Sequence, residues 1–510
     1  MTTLVPRPPY TQDELDRLYP KKLKLQLVQI LLRHGERSPV STRFQNAGLA
    51  PYWPYCNAAK RLSSVAMTKT DWSSWDKLQW RRRLETFGDN DASILASGPN
   101  GEIDTVCNLG ELTDKGRETT LALGERLRHL YVDQLKYMPE IISDADMIYL
   151  RASPLPRALE SVQESFWGMY PLSARTASFP PPTIITRTPQ DETLFPNESS
   201  CRRFRNESQE IEYLNSLIGK WMPGNSRVKV DSHPRLSGIM DTINSTLGHG
   251  PATRLPSPFY DPKGREIIER IGVEEWFSGF SESKEYRQVG IGALAGDIVA
   301  RMVGNVERSG NDGLLEIGGE DGFQGAGRGG EKDIKFGLSG CHDTSLAALL
   351  ASLGCFEGEK WPPYTSHLAF ELFNESGADR KSIDGDKLDR PATADAAHKQ
   401  KQGALSTFFG SGGKTKLATE GIARKTTDEL NATEREKLKG HYVRIRYNDR
   451  PVVVPGCKLP GKHLDGDESF CTLEAFKAIV DRFTPKNWKQ ACISNIDEPA
   501  FPEEIEPGGY

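Results

Sequence analysis

Residues Leu31 to Pro39 read LLRHGERSP, so an apolar run ends on two arginines that bracket a histidine: Arg33, His34, Gly35, Glu36, Arg37. Guanidinium groups present paired N–H donors in a fixed fork, which suits an anion with several acceptor oxygens and above all a phosphate monoester with its two charges. Arg33 and Arg37 are therefore candidate phosphate clamps, and His34 between them offers an imidazole nitrogen that can attack phosphorus and form a phosphohistidine. Gly35 lets the backbone approach a neighbour closely. RHG alone is a common surface tripeptide, so the stretch gains meaning only from partners elsewhere. Two follow. Arg157 opens a predicted helix, where free N–H groups and a third guanidinium would face an anion together. His342 and Asp343 stand at a similar place: His342 can donate to a phosphate oxygen, and Asp343, if protonated beside the anion, can give its proton to the leaving alcohol.

The elements that must position these groups repeat one design of apolar strand, short loop and helix. KLKLQLVQILL, residues 22–32, is almost continuously aliphatic, the pattern of a strand covered on both faces, with Arg33 beginning the loop. DADMIYLRASPLPRALESVQESFWGMYP predicts a strand through Leu150, a loop through Pro156 and a helix with Leu159, Val162 and Phe166 on one face. DIKFGLSGCHDTSLAALLASLG predicts a strand from Ile334 to Leu338, a Gly-bearing loop and a helix ending near Gly354. In parallel α/β sheets ligands sit beyond the carboxyl ends of the strands, so all three loops are expected to open on one side. A helix capped by Thr113 places Leu123, Leu127, Leu130 and Tyr131 together, and Ile291, Leu294, Ile298 and Met302 mark another. HYVRIRYNDRPVVVP predicts a hairpin turning at Asn448-Asp449. The expected domain spans 22–510, with an α/β core over about 22–50, 105–175, 331–374 and 440–490 and a helical cap over about 200–304. Residues 305–330 read as a Gly-rich loop and 375–439 as a disordered insertion.

Composition excludes more than it selects. A formal net charge of −5 on 510 residues gives no global field toward nucleic acid or an anionic membrane, so an anion site has to be local. No uninterrupted apolar run approaches the roughly 20 residues that span a bilayer. The first residues carry Asp13, Glu14 and Asp16 and no apolar core of a signal peptide, so the expected location is the cytoplasm, with the mitochondrion as alternative. Eight cysteines are then expected reduced, with Cys457 and Cys471 the pair that could join under oxidising conditions. Five Asn-x-Ser/Thr sequons, at Asn197, Asn206, Asn244, Asn374 and Asn431, are read as chance. His129, His233, His249, His367 and His463 show no metal-ligand spacing, and neither a metal nor a cofactor is expected. Trp361-Pro362-Pro363 and the cluster Tyr52 to Tyr55 are candidates to line an apolar approach for an acyl chain, though such residues more often pack.

RHGERSP, GELTDKGRETTLALGERLRHLY, RASPLPRALES, LFPNESSC, SGCHDTS and HYVRIRYNDRPV occur in an order that resembles the histidine acid phosphatases, the second branch of the histidine phosphatase superfamily. LGCFEGEKWPPYTSHLAFELF and CTLEAF further resemble its lysophosphatidic acid phosphatase subgroup. The resemblance implies a phosphoglycerate-mutase-like three-layer α/β/α core with a mainly parallel sheet and a helical cap. It also implies His34 as nucleophile, Asp343 as proton donor, and Arg33, Arg37, Arg157 and His342 as phosphate ligands. Ala152-Ser153 depart from the usual Ser-Thr, and Pro154 and Pro156 stiffen that loop. The implied partner is a phosphomonoester, with transient membrane-surface contact if it is a lysophospholipid. The alternatives are a phosphomonoesterase for small metabolites, and a phosphate-binding scaffold whose insertion carries a sliding-clamp-like peptide, Gln402 to Phe409.

Overall fold

The computed structural model describes residues 3–80, 84–87, 92–96, 105–197, 212–229, 232–250, 253–307, 334–375, 422–492 and 504–510. Its strands are β1 (Leu23–Arg33), β2 (Val65–Met67), β3 (Trp75–Lys77), β4 (Leu84–Phe87), β5 (Ser93–Ala96), β6 (Ile148–Ala152), β7 (Ile184–Ile185), β8 (Phe336–Cys341), β9 (His367–Glu375), β10 (His441–Tyr447), β11 (Arg450–Val452), β12 (His463–Leu464) and β13 (Asp467–Thr472). The main sheet runs β12-β13-β10-β9-β1-β8-β6-β7, with β11 paired to β10.

Strand β1 is central because both of its faces are apolar. Leu27 and Leu31 point into one core and Val28, Ile30 and Leu32 into the other, the two-residue alternation that a fully covered strand requires. The helices Asp114–Arg128 and Pro156–Met169 cover the second core with Leu123, Leu127, Val162 and Phe166. The helices Ala293–Glu307, Asp343–Ser352 and Leu473–Asp481 cover the first with Ile298, Met302, Leu346, Leu350 and Val480. Three layers result, an α/β architecture. The sheet, however, is mixed rather than mainly parallel. β1, β8, β6 and β7 run parallel, but β9 returns antiparallel beside β1, and β10, β11, β12 and β13 extend that sense. The tight β10–β11 turn permits no crossover: Asn448 and Asp449 both take positive φ, 47° and 69°, as a two-residue hairpin demands.

Several expectations need correction. Arg33 closes β1 instead of beginning the loop, and β8 runs to Cys341, so the Ser339-Gly340 stretch is strand and not loop. Gly340 fits there because a Cβ would lie 2.5 Å from Val162 and 2.6 Å from the Ala158 carbonyl of the crossing helix. The helices between Glu212 and Glu307 share one core with the sheet: Ile243, Ile268 and Phe277 belong to the same cluster as Leu346 and Leu350. Residues 305–307 end a helix, and 308–333 lie outside the described residues. Of the insertion expected to be disordered, 376–421, including Gln402 to Phe409, lies outside the described residues, but 422–439 is ordered. Ile422, Leu430 and Leu438 anchor it in the main core and Asn431 forms a capping box with Glu434, signals that a scarcity of aromatics concealed.

The cysteines also differ. Cys457 is bonded to Cys471 and Cys56 to Cys107. Backbone bonds from Cys56 N to Thr105 O and from Cys107 N to Trp53 O bring the second pair together at a Cα separation of 5.1 Å. Among the sequons, Asn197 is buried with its amide on Pro189 O, and Asn431 is spent on its helix cap. The continuous helical stretch Lys284–Glu307 is long and apolar enough to cross a bilayer, yet 72% of its apolar 18-residue window is buried, and it serves as a core helix.

Candidate active site

The parallel ladder sets three chain segments side by side. Arg33 pairs with Cys341 and Ala152 with Gly340, so the chain leaves β1, β8 and β6 in one row, at His34, His342 and Ser153. His34 N donates to Cys341 O at 3.2 Å and Ser153 N to Gly340 O at 3.1 Å, extending the ladder one residue beyond the strands. His34 and His342 rings meet edge-on with centroids 5.4 Å apart, and His342 Nε2 shares a 2.8 Å hydrogen bond with Ser153 Oγ.

The loop after β1 is fixed by its glycine in an unexpected way. A Cβ on Gly35 would stand 2.3 Å from the carbonyl oxygen of Gly116, and one on Gly116 would stand 2.1 Å from the carbonyl oxygen of Glu36. The close approach that Gly35 permits is therefore to the first turn of the Asp114–Arg128 helix. Thr113 caps that helix, and its N and Oγ1 both donate to Glu36 O, at 3.0 and 3.1 Å. An isolated bridge between Arg37 and Leu112 and the bond from Ser38 N to Glu111 O complete the lock.

His34 Nδ1 lies 2.8 Å from the carbonyl oxygen of Gly35. A carbonyl can only accept, so Nδ1 carries the proton and Nε2 keeps a bare lone pair. Burial, then Arg157, Arg37, Arg33 and His342, push the ring well below the usual imidazole range, so it stays neutral in acid. Burial and Arg157 likewise lower His342.

The three arginines are not equivalent. Arg33 spans Asp343 Oδ2 at 2.8 Å and the Pro362 carbonyl, with its guanidinium 4.1 Å above the Tyr364 ring. Arg37 pairs with Asp241 at 2.8 Å. Burial and Arg37 pull Arg157 down to about 10, and among the described residues its guanidinium has no hydrogen bond or ion pair. Of the three it is the arginine that no carboxylate holds.

Asp343 is the first residue of its helix, with Oδ1 on Thr344 N and Oδ2 shared by Arg33 and the Trp361 indole N–H, each at 2.8 Å. Burial pushes this carboxyl up, but Arg33, the Trp361 donor, His342 and Arg37 outweigh it and hold the group below the ordinary carboxylate range. All six residues singled out in the sequence thus join one cationic cluster, with Arg33, His34, Arg37 and His342 buried and Arg157 and Asp343 partly so. Sequence reasoning missed Trp361 as a hydrogen-bond donor, Ser153 as the partner of His342 and Asp241 as the counter-ion of Arg37. Trp361 and Ser153 stood inside stretches already marked, whereas Asp241 sits in a helical pattern with no signal of its own. Tyr55 stacks on His249 at 5.2 Å and Trp53 meets it edge-on, while His249 Nε2 bonds Thr113 Oγ1, so that aromatic cluster packs against the loop lock.

Residues 24–231 match the model of the histidine phosphatase superfamily, branch 2. A probable acid phosphatase of Schizosaccharomyces pombe is 34% identical over 93% of this chain and 95% of its own length. The human lysophosphatidic acid phosphatase type 6 is 23% identical over 69% of this chain and 74% of its own. A phytase of Hafnia alvei superposes over 93% of this chain and 99% of its own, with a TM-score of 0.48 at 12% identity. The chain belongs to branch 2 of the histidine phosphatase superfamily and is an acid phosphatase, a hydrolase of phosphate monoesters.

Proposed function

We propose that hydrolysis runs through a phosphohistidine at His34. Nε2 attacks phosphorus while the bond to the leaving oxygen breaks, and Asp343 transfers its proton to that oxygen to release the alcohol. Water then attacks phosphorus, the P–N bond breaks, and the Asp343 carboxylate takes the proton from the water. Arg33, Arg37 and Arg157 neutralise the phosphoryl oxygens, with the gain arising from positioning and charge. His342 and Ser153 act as a pair, the hydrogen bond between Ser153 Oγ and His342 Nε2 holding the imidazole in place beside His34. The observation that carries this reading is the Nδ1 bond to Gly35 O inside a cationic, buried setting, which supports a neutral, correctly protonated nucleophile under acidic conditions.

Asp343 must be protonated for the first step, yet Arg33 and Trp361 favour its ionised form. A phosphate that draws Arg33 to its own oxygens removes the larger of these two influences and adds negative charge nearby, and both changes favour the acid. Quenching turnover of labelled substrate tests the scheme. Asp343→Asn should accumulate label on the protein with a poor leaving group excluded, and His34→Ala should carry none; label on the Ala variant refutes the nucleophile.

The substrate proposed is a lysophosphatidate, supported by the human relative's name and by the aromatic side chains Trp361, Trp276 and Phe195 beside the cluster. Comparing kcat/KM for lysophosphatidate, sugar phosphates and inositol phosphates decides it. The Leu236–Gly248 helix, which supplies Asp241 and ends on His249 as its C-cap, is proposed to act as part of a cap. Two disulfides favour work in an oxidising compartment over the cytoplasm.

A further inference from the structure

Among the described residues, none between Cys56 and Cys107 bonds to the catalytic cluster, and they hold a surface that the phosphatase reaction does not explain. The segment begins with the helix Asn57–Leu62 and continues as the β2–β3 hairpin. In that hairpin Val65 pairs with Lys77, Ala66 with Asp76 and Met67 with Trp75. Paired residues of an antiparallel ladder project to the same side, so Val65, Met67, Trp75 and Lys77 share one face while Ala66 and Asp76 take the other. The Trp72 ring in the turn meets Trp75 edge-on at 5.8 Å. Trp72 is 67% exposed and Trp75 52%. With Leu62, Val65, Met67 and Leu78 they make six of the seventeen large exposed apolar side chains among the described residues, gathered within one short stretch. Scattered exposed apolar residues need no explanation, but a contiguous set does.

Charge identifies what this face fits. The described residues 57–80 hold four basic side chains, Lys60, Arg61, Lys69 and Lys77, against Asp71 and Asp76, a net charge of +2 in a chain whose formal net charge is −5, and Lys77 shares the apolar face while Asp76 takes the other. Tryptophan with an apolar body and a polar N–H, next to lysine and arginine, suits the headgroup region of a bilayer, and excess positive charge suits anionic lipid. A second copy of the same face would bring like charges together.

We propose that the β2–β3 hairpin docks this protein on anionic lipid surfaces, with Val65, Met67, Trp72 and Trp75 entering the headgroup boundary and Lys69 and Lys77 meeting the headgroups. The root of the hairpin is rigid. Asn57 N and Ala58 N donate to the Asp114 carboxylate at 2.9 Å each, and the Cys56–Cys107 bond closes the base. Asp114 follows Thr113, which locks the nucleophile loop, so the docked face and the catalytic cluster ride on one frame. The proposal stands on the hairpin itself and does not require lysophosphatidate as the substrate.

Sedimentation of the full chain with vesicles tests it, using phosphatidylcholine alone and phosphatidylcholine mixed with phosphatidylserine. The intact protein should pellet with the mixed vesicles and release as salt rises. Trp72→Ala/Trp75→Ala should weaken binding about tenfold or more, and Lys69→Glu/Lys77→Glu about tenfold. Both variants should hydrolyse p-nitrophenyl phosphate in solution at the unaltered rate. Intact protein that ignores the mixed vesicles overturns the proposal, as does equal binding by the tryptophan variant. A dimer of the intact protein that the tryptophan variant converts to monomer, with no vesicle binding, assigns the face to a second copy and overturns it as well. Vesicle binding is read without turnover, so it fails independently of any conclusion about the substrate.

Discussion

Replacing Trp361 by phenylalanine isolates one donor at the catalytic acid. The indole N–H lies 2.8 Å from Asp343 Oδ2, and the ring packs on Phe277 at 5.0 Å and Trp276 at 6.0 Å, contacts that a phenyl ring largely keeps. A hydrogen bond to a charged acceptor contributes roughly 1.5–3 kcal/mol and one to a neutral acceptor roughly 0.5–1.5 kcal/mol, so losing this donor penalises the carboxylate over the acid by about 1–1.5 kcal/mol. At about 1.4 kcal/mol per decade, the protonated fraction on the alkaline side of the Asp343 transition rises about tenfold. The sign follows from the held-down carboxyl: a donor that favours the ionised form, once removed, lets the proton stay on to higher pH. The alkaline limb of kcat/KM should therefore move upward. The assay is a pH profile for an alkyl phosphate, whose poor leaving group needs the acid, beside p-nitrophenyl phosphate, which needs it less. Far-ultraviolet circular dichroism verifies the fold. A limb that stays in place or moves downward in a folded variant refutes the assignment of Asp343 as the acid held by Trp361.

Arg157→Ala removes a guanidinium that has no partner among the described residues, so thermal stability should be undiminished while inorganic phosphate inhibits about 30-fold or more less tightly, as inhibition kinetics would reveal. Gly116→Ala forces a Cβ to within 2.1 Å of Glu36 O and displaces the nucleophile loop; kcat should fall about 100-fold, measured on protein verified as folded. Glu371, buried between Arg444 and Arg446 and hydrogen-bonded by Tyr19 and Tyr131, is pushed up by burial but held at about 2 by those arginines. A depressed carboxyl stabilises above its ordinary range and loses that contribution as pH falls, so about 3 kcal/mol should disappear between the usual glutamate value and about pH 2. Glu371→Gln should flatten that slope in acid denaturation while costing about 3–5 kcal/mol near neutrality. Cys56→Ser opens a span of 51 residues and Cys457→Ser one of 14, so chain entropy predicts losses of about 4 and about 3 kcal/mol in denaturant titrations.

The strands and the side chains that gather at the candidate site were legible because their signals are local. A continuous apolar run such as Leu27 to Leu32 admits few structures except a strand covered on both sides, and the arginines and histidines sit where such runs end. The β10–β11 hairpin announced itself through Asn448-Asp449. What stayed hidden depends on contacts across the chain. The order of strands is set by which edges meet, and nothing within HLAFELF states that β9 returns antiparallel beside β1. The pairing of Cys56 with Cys107 needs the backbone bonds at Trp53 and Thr105, and Asp241 finds Arg37 only after 204 positions of chain have folded. The ordered stretch 422–439 escaped because three aliphatic side chains among many charges are enough to dock it.

The contacts between Glu36 and Thr113, Arg37 and Leu112, and Ser38 and Glu111 make the polypeptide depart from the nucleophile and come back to the same spot. The chain from Pro39 to Gly110 is thus an excursion whose entrance and exit are clipped together, and its described strands stand outside the central sheet. Such an arrangement lets evolution lengthen, shorten or redecorate the appendage while leaving the phosphate chemistry beneath it in register, so the catalytic centre and the surface it is carried to can change on separate timetables.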